Sequence, residues 1–294
     1  MTGRDDMTTR VRQNLLGLYE KAIPLQLDWD QKFRISRENG YDYIELSIDA
    51  TPPRLERLQW PAAQIDDLHR LFAKYSTRFY TMALTANRFY PLGDFDAAVR
   101  RRGVAIVKSG IDLAVKLGVR LIQIAAYDVY GKAGNAESHQ NFIQSIRQCA
   151  AYAERNLVPL SLELMDIPYA NTCDKLLQLI EQVDSPYLRI YYDIGNAAAT
   201  EIDNAAQIKK GGKYIAAVHV KDAVVGNCRS IPYGEGVVDF DRCAATLEMI
   251  DYAGPIVSEM WSNDDPGFLP YLKEAALFIR KKFNLEGDSQ CWKS

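Results

Sequence analysis

The sequence alternates between short apolar runs and longer segments with helical periodicity, and this alternation restricts the fold more than any other feature. Eight runs are either apolar throughout or alternate with period two, as in strands that are buried on both faces of a parallel sheet. The predicted strands are Leu15–Glu20, Tyr43–Asp49, Phe79–Thr85, Leu121–Tyr127, Pro159–Met165, Leu188–Ile194, Ala216–Lys221 and Pro255–Met260.

Helices are predicted between these strands because apolar residues recur at the spacing of one helix face. The predicted helices are Gln64–Tyr75, Asp96–Leu117, Ser138–Arg155, Lys175–Val183, Asp241–Ile250 and Leu269–Phe283. Eight repeats in 294 residues give about 37 residues per repeat, a length that suits a βα unit. The sequence therefore predicts an α/β fold, a (β/α)₈ TIM barrel, rather than an open doubly wound sheet.

One domain is predicted, because the chain has no linker rich in Gly or Pro and no break in composition. The barrel is expected over residues 14–285. Residues 1–13 are polar and charged, without the apolar stretch of a signal peptide, and are expected to form a mobile arm. Residues 286–294 are expected to form a C-terminal tail.

Composition excludes several classes of protein. The formal net charge is −3, whereas a nucleic-acid-binding protein usually carries a basic surplus. No apolar run is long enough to span a membrane. The five cysteines are odd in number and none are spaced as Cys-x-x-Cys, which indicates reduced thiols in a cytoplasmic protein rather than a disulfide framework or a cysteine zinc site.

Four successive predicted strands, the fifth to the eighth, carry near their C-terminal end a residue that can bind a metal: Glu163, Asp193, His219 and Glu259. Active sites of TIM barrels lie at this end of the strands, and neighbouring strands are about 4.8 Å apart. An ionised group in an apolar strand is costly unless it is paired or bound to metal. We therefore predict one divalent ion, of which Mn²⁺, Zn²⁺, Co²⁺ and Mg²⁺ all suit three carboxylates and one imidazole.

Further characteristic runs surround these residues and follow the other strands. They are Glu163-Leu164-Met165-Asp166, Tyr192-Asp193-Ile194-Gly195-Asn196, His219-Val220-Lys221-Asp222, Gly234-Glu235-Gly236-Val237-Val238-Asp239-Phe240, Glu259-Met260-Trp261, Leu18-Tyr19-Glu20-Lys21-Ala22, Tyr43-Ile44-Glu45-Leu46-Ser47, Arg88-Phe89-Tyr90-Pro91-Leu92-Gly93 and Tyr127-Asp128-Val129-Tyr130. Together they resemble the L-ribulose-5-phosphate 3-epimerases, also called L-xylulose-5-phosphate 3-epimerases, of the xylose-isomerase-like barrel superfamily. The resemblance extends from about Leu16 to about Ile279.

This resemblance implies a metal-dependent 3-epimerase that interconverts L-ribulose 5-phosphate and L-xylulose 5-phosphate. The divalent ion would stabilise the enediolate that forms when the C3 proton is removed. The family pattern assigns proton transfer on the two faces of the sugar to Glu163 and Glu259, which are also metal ligands.

The resemblance also implies contacts to the sugar phosphate. Histidine and arginine occupy two positions in related epimerases of unphosphorylated ketoses where this chain has Asn196 and Val225, and this departure favours a phosphorylated substrate. Phosphate donors are expected among Asn87, Arg88, Lys221 and Arg229. Each of these could instead be a solvated surface residue, and Lys221 could pair with Asp222. The complete set of expected substrate-binding residues is Tyr19, Glu20, Asn87, Arg88, Asp166, Asn196, Lys221 and Arg229.

Three other sequence features have modest implications. Gly234-Glu235-Gly236 lacks the context of a dinucleotide-binding loop, and it is expected to lead into a helix capped by Asp239. Trp261 either lines the pocket or packs beside it. His69 and His139 lie on predicted helices and are expected at the surface.

Alternative functions remain open at this point. One is an epimerase or aldose–ketose isomerase of an unphosphorylated ketose. Another, from a different class, is a non-enzymatic metal-binding sugar sensor. An abasic-site endonuclease is disfavoured, because three histidines and an acidic chain do not supply a three-metal cluster and a basic DNA groove. Barrels of this type often pair through loops and helices, so a homodimer is a candidate assembly.

Overall fold

The computed structural model describes residues 14–285; the predicted arm, the predicted tail and Cys291 lie outside the described residues. Eight parallel strands pair in chain order and β1 pairs with β8, which closes the barrel. All eight predicted strands are confirmed, with ends within two residues of those expected. Strands β1 to β8 are Leu16–Tyr19, Tyr43–Ile48, Phe79–Leu84, Leu121–Ala125, Leu160–Glu163, Leu188–Asp193, Ile215–Val220 and Ile256–Ser258.

Helices surround the barrel, and the six predicted ones are confirmed with ends within two residues of those expected. Four further helices were not predicted: α1, α2, α7 and α8. Helices α2, α7 and α8 have only four, six and eight residues, so they contain little helical periodicity. Helix α1 has ten residues, but only three of them are apolar. Helices α1 to α10 are Trp29–Glu38, Pro52–Leu55, Ala62–Tyr75, Ala97–Leu117, Ala136–Arg155, Cys173–Val183, Ile194–Ala199, Asn204–Gly211, Phe240–Met249 and Leu269–Phe283.

Side chains that alternate along each strand point either toward the helices or into the barrel, and they form two separate buried clusters. Residues such as Leu18, Ile44 and Leu46 belong to the large core cluster between the sheet and the helices. A smaller cluster packs across the barrel interior, and it consists of Tyr19, Tyr43, Ala83, Leu121, Tyr191, Ala217 and Val257. Because successive side chains of a strand point to opposite faces, the interior positions near the carboxyl ends remain available for polar groups.

Four of the five cysteines lie in the described residues. Cys149, Cys173, Cys228 and Cys243 are free and buried. Of the helices in the described residues, none is long and apolar enough to cross a membrane.

Candidate active site

The structure brings the four expected metal ligands together at the carboxyl ends of the strands. Glu163 is the last residue of β5, Asp193 is the last residue of β6, and Asp193 pairs in register with His219 of β7. Glu259 directly follows β8, where its N–H donates to the carbonyl of Val220 at 2.9 Å. One ligand atom from each of the four side chains lies within 4.8 Å of the others, and all four residues are buried.

His219 directs one ring nitrogen toward the three carboxylates. Its Nδ1 lies 3.1 Å from Oε1 of Glu163, 3.7 Å from Oε2 of Glu259 and 3.9 Å from Oδ2 of Asp193. Three carboxylates and an imidazole nitrogen that surround one point form a donor set for a divalent cation.

The other ring nitrogen of His219 contacts a carboxylate that was not among the predicted site residues. Nε2 lies 2.7 Å from Oε1 of Glu45, on β2. The second oxygen of Glu45 accepts hydrogen bonds from the Tyr191 hydroxyl at 2.6 Å and from Oγ1 of Thr81 at 2.7 Å. His219, Glu45, Tyr191 and Thr81 therefore form a connected network, and each is at most 1% exposed.

Lys221 already places a positive charge among these acids. Its Nζ lies 2.5 Å from Oδ2 of Asp193 and 2.5 Å from Oε2 of Glu259. A Cβ atom at position 195 would clash with Cγ of Lys221, so the glycine of the Asp193-Ile194-Gly195-Asn196 run makes room for this side chain. The pair of Lys221 with Asp222 that the sequence left open does not form.

Asp222 instead holds the loop that follows β7. Its carboxylate accepts the backbone N–H groups of Gly234 at 2.8 Å and Gly236 at 2.9 Å. A Cβ atom at Gly236 would overlap the carbonyl of Ala223 and the Asp222 carboxylate. The loop leads into α9, where Asp239 caps the helix as predicted by accepting from the N–H of Arg242 at 3.0 Å.

The concentration of charge shifts the pKa values of Asp193, Glu259 and His219. Burial raises the pKa of Asp193 to about 7, in spite of the neighbouring Lys221 ammonium. Burial also raises the pKa of Glu259, but Lys221 and His219 outweigh this effect and lower it to about 2. Burial lowers the pKa of His219, whereas the carboxylates of Glu259 and Glu45 raise it well above its usual value. The site is thus built to keep positive charge close to ionised carboxylates.

Each of the two predicted catalytic carboxylates has one oxygen held by a neighbour. Nε2 of Gln123, on β4, donates to Oε2 of Glu163, and the ammonium of Lys221 binds Oε2 of Glu259. Asp193 is also oriented, because its Oδ1 accepts the N–H of Asn196 at 2.9 Å and so caps α7.

A cavity opens directly above this cluster, and most of the expected substrate contacts line it. Those in the lining are Tyr19, Arg88, Asp166, Asn196, Lys221 and Arg229, together with Glu163, His219 and Glu259. Trp261 lines the cavity too, with its ring edge-on to Tyr19 at 6.0 Å between centroids and below the guanidinium of Arg229 at 5.5 Å.

Two expected substrate contacts, Glu20 and Asn87, are absent from the lining of this cavity. Glu20 follows Tyr19, and because adjacent residues point to opposite sides, its side chain enters the helix layer and pairs with Arg57 at 2.5 Å and Lys32 at 3.2 Å. Asn87 is fully buried and donates to the carbonyl of Ala125 at 2.5 Å. In this structure both side chains are thus engaged by other parts of the barrel.

Glu45 and Gln123 are site residues that sequence reasoning missed. Each is a polar residue between two apolar residues of its strand, which is the same signal that singled out Glu163. Glu45 and Gln123 lie in the middle of β2 and β4, whereas active-site residues of TIM barrels are expected at the strand ends. The two expected surface histidines are placed as follows: His69 is exposed and His139 is partly buried.

Comparisons with known proteins agree with the barrel fold and identify similar proteins. The family model described as Xylose isomerase-like TIM barrel matches residues 33–282. L-ribulose-5-phosphate 3-epimerase UlaE of Shigella boydii serotype 18 is 39% identical over 257 residues, covering 87% of this chain and 90% of that protein. Among solved structures, L-ribulose 3-epimerase has a TM-score of 0.79 at 20% identity and covers 92% of this chain and 95% of its own. D-Psicose 3-epimerase from Clostridium cellulolyticum H10, solved with D-tagatose, has a TM-score of 0.77 at 19% identity, with coverages of 92% and 99%.

Proposed function

Because the chain belongs to the L-ribulose-5-phosphate 3-epimerase family of xylose isomerase-like TIM barrels and is an enzyme of the isomerase class, we propose that it interconverts L-ribulose 5-phosphate and L-xylulose 5-phosphate. The observation that carries this proposal is the pair of buried carboxylates, Glu163 and Glu259, on β5 and after β8 at the rim of one cavity. Inversion at C3 needs one proton acceptor and one proton donor on opposite faces of the sugar.

A divalent ion fits the residues at the base of the cavity. Glu163, Asp193, His219 and Glu259 would hold it, since their ligand atoms converge within 4.8 Å. Two of these residues, Asp193 and Glu259, already bind the cationic ammonium of Lys221. When bound, the ion supplies positive charge that stabilises the negative oxygen of an enediolate. The donor set accepts Mn²⁺, Zn²⁺, Co²⁺ or Mg²⁺.

The two carboxylates are oriented for opposite faces of the substrate. β6 and β7 separate β5 from β8 in the barrel, so Glu163 and Glu259 approach the cavity from different sides. Gln123 holds one oxygen of Glu163, and Lys221 holds one oxygen of Glu259. One of these carboxylates takes the C3 proton on its face of the sugar, and the other returns a proton on the opposite face.

The phosphate group would bind to the arginines that line the cavity. The Arg88 guanidinium stacks on Tyr127 and Tyr130 at 5.5 and 5.6 Å, and Arg229 lies over Trp261. Within the described part of the chain, neither arginine forms an ion pair with a carboxylate. Both guanidinium groups can therefore donate to a phosphate, for which their planar fork is well suited.

A phosphorylated substrate is favoured over a free ketose. Asn196 lines the cavity, but its Nδ2 is engaged by the carbonyl of Leu164 at 2.8 Å. Val225 is 59% exposed and is not part of the lining. The two positions at which related epimerases of free ketoses have a histidine and an arginine thus offer little for a sugar hydroxyl. The expected cytoplasmic location and homodimer stay predictions.

The test is proton NMR of L-ribulose 5-phosphate in D₂O with a catalytic amount of Mn²⁺-loaded protein. We expect L-xylulose 5-phosphate with deuterium at C3 and none at C1. Glu163→Gln and Glu259→Gln should each lower turnover by about 10²–10⁴-fold, the usual contribution of a general acid or base. A protein with confirmed metal that exchanges no proton at C3 contradicts the proposal, and deuterium at C1 indicates aldose–ketose isomerisation instead.

A further inference from the structure

We propose that Glu45 is a positioning residue, which holds the imidazole of His219 so that Nδ1 carries the free lone pair at the carboxylate cluster. This inference rests on the part of the proposed function that places a divalent ion among Glu163, Asp193, His219 and Glu259. It extends that proposal to a residue on the opposite side of the barrel, 174 positions away along the chain.

The imidazole ring of His219 has a different partner at each of its two nitrogens. Nδ1 lies 3.1 Å from Glu163 and near the other carboxylates of the cluster, whereas Nε2 lies 2.7 Å from Oε1 of Glu45. His219 is 1% exposed and Glu45 is 0% exposed, so water has no access to compete for either nitrogen. The orientation of the ring is therefore decided by its protein partners.

Glu45 is itself fixed by groups that do not belong to the cluster. The Tyr191 hydroxyl and Oγ1 of Thr81 donate to its Oε2 at 2.6 and 2.7 Å. Tyr191 is on β6 and Thr81 is on β3, so the carboxylate is held from two sides of the barrel. An ionised carboxylate only accepts hydrogen bonds, and the contact at Oε1 therefore requires a proton on Nε2.

The location of this proton determines what Nδ1 can do. A neutral imidazole has one N–H and one lone pair, and only the lone pair binds a metal. With a divalent ion in the cluster, Nδ1 would bind the ion through its lone pair in place of its 3.1 Å contact with Glu163, while Glu45 keeps the ring proton on Nε2. Loss of such an outer partner typically costs about 10–100-fold in metal affinity.

The chain offers a matched control for this idea. Glu20 is also fully buried, near the end of the adjacent strand β1, and binds two cations and a backbone N–H, but it touches no residue of the cluster. Glu20→Gln therefore removes a buried carboxylate charge without altering the contact to His219. Tyr191→Phe is an intermediate variant: it keeps the Glu45 carboxylate but removes one of the two hydroxyls that hold it.

The first measurement is calorimetric titration of apo protein with Zn²⁺ and Mn²⁺. We expect Glu45→Gln to raise the Kd by about 10–100-fold, Tyr191→Phe to raise it less, and Glu20→Gln to leave it within about twofold of wild type. Equal affinities of wild type and Glu45→Gln overturn the inference, as does an equal loss in Glu45→Gln and Glu20→Gln.

The second measurement needs no variant and holds even if Glu45→Gln does not fold. The chain has three histidines, so long-range ¹H–¹⁵N spectra of the Zn²⁺-loaded protein are simple to assign. We expect His219 to carry its proton on Nε2; a proton on Nδ1 overturns the inference. Neither measurement uses the sugar, so failure of the D₂O experiment with normal metal binding rejects the substrate and leaves Glu45 in its role.

Discussion

Replacement of Glu20 by Gln tests the structural role that the barrel gives this residue. Glu20 is 0% exposed, and it receives hydrogen bonds from Arg57 at 2.5 and 2.7 Å, from Lys32 at 3.2 Å and from the N–H of Ser47 at 3.0 Å. Gln keeps the size of the side chain and removes its charge. Arg57 and Lys32 then stay buried without their counterion, which typically costs about 3–5 kcal/mol.

The pKa of Glu20 gives a second value for the same effect. Burial raises this pKa, but the Arg57 guanidinium outweighs burial and lowers it from 4.5 to about 2. At about 1.36 kcal/mol per pH unit, this difference corresponds to about 3 kcal/mol of folding free energy. Because the folded-state pKa is the lower one, the contribution is complete above about pH 4.5 and is lost as the pH falls toward 2.

The assay is urea unfolding at pH 7 and pH 3, analysed by linear extrapolation. Glu20→Gln should be less stable than wild type by about 3 kcal/mol at pH 7, and the difference should be smaller at pH 3. Glu38→Gln is the matched control: its 3.8 Å pair with Arg34 is exposed at both ends, and such pairs contribute about 0.5 kcal/mol or less.

Two results would refute the reasoning on Glu20. One is a loss of stability no larger than that of Glu38→Gln. The other is a rise in KM for the sugar phosphate without loss of stability, which would restore the expectation that Glu20 contacts the substrate.

Three further predictions concern the site. Arg88→Met should raise KM for the sugar phosphate at least tenfold, the effect of about 1.4 kcal/mol, and should leave metal affinity unchanged; equal KM values would exclude Arg88 from phosphate binding. Gln123→Leu should lower kcat by up to about 10²-fold because Glu163 loses its orienting donor, and an unchanged kcat would contradict this role. Removal of metal with EDTA should abolish epimerisation, and Mn²⁺ at 100 times its Kd should raise the folding free energy by about 2.7 kcal/mol, seen as a higher Tm.

The fold follows from local patterns that any reader of the sequence can detect. Period-two and fully apolar runs predicted all eight strands, and helical spacing predicted six of the helices in the described residues. Hydrophobic periodicity reports which face of an element is buried, and it needs no knowledge of partners. Helices such as α7, with six residues, lie below the length at which periodicity is informative.

The ligand cluster was also within reach of the sequence. In a closed parallel barrel, the carboxyl ends of β5 to β8 are adjacent, so the sequence predicts that Glu163, Asp193, His219 and Glu259 converge. Strand order alone carries this inference, because neighbouring parallel strands end at the same rim.

Only the tertiary structure decided which partner each polar side chain has. Tyr19 faces the cavity while the next residue, Glu20, enters the helix layer, and Lys221 binds Asp193 and Glu259 rather than its neighbour Asp222. The contact of His219 with Glu45 spans 174 positions. Sequence patterns describe the environment of a residue along its own strand, whereas these contacts depend on the closure of the barrel, which brings side chains of distant strands within hydrogen-bonding distance.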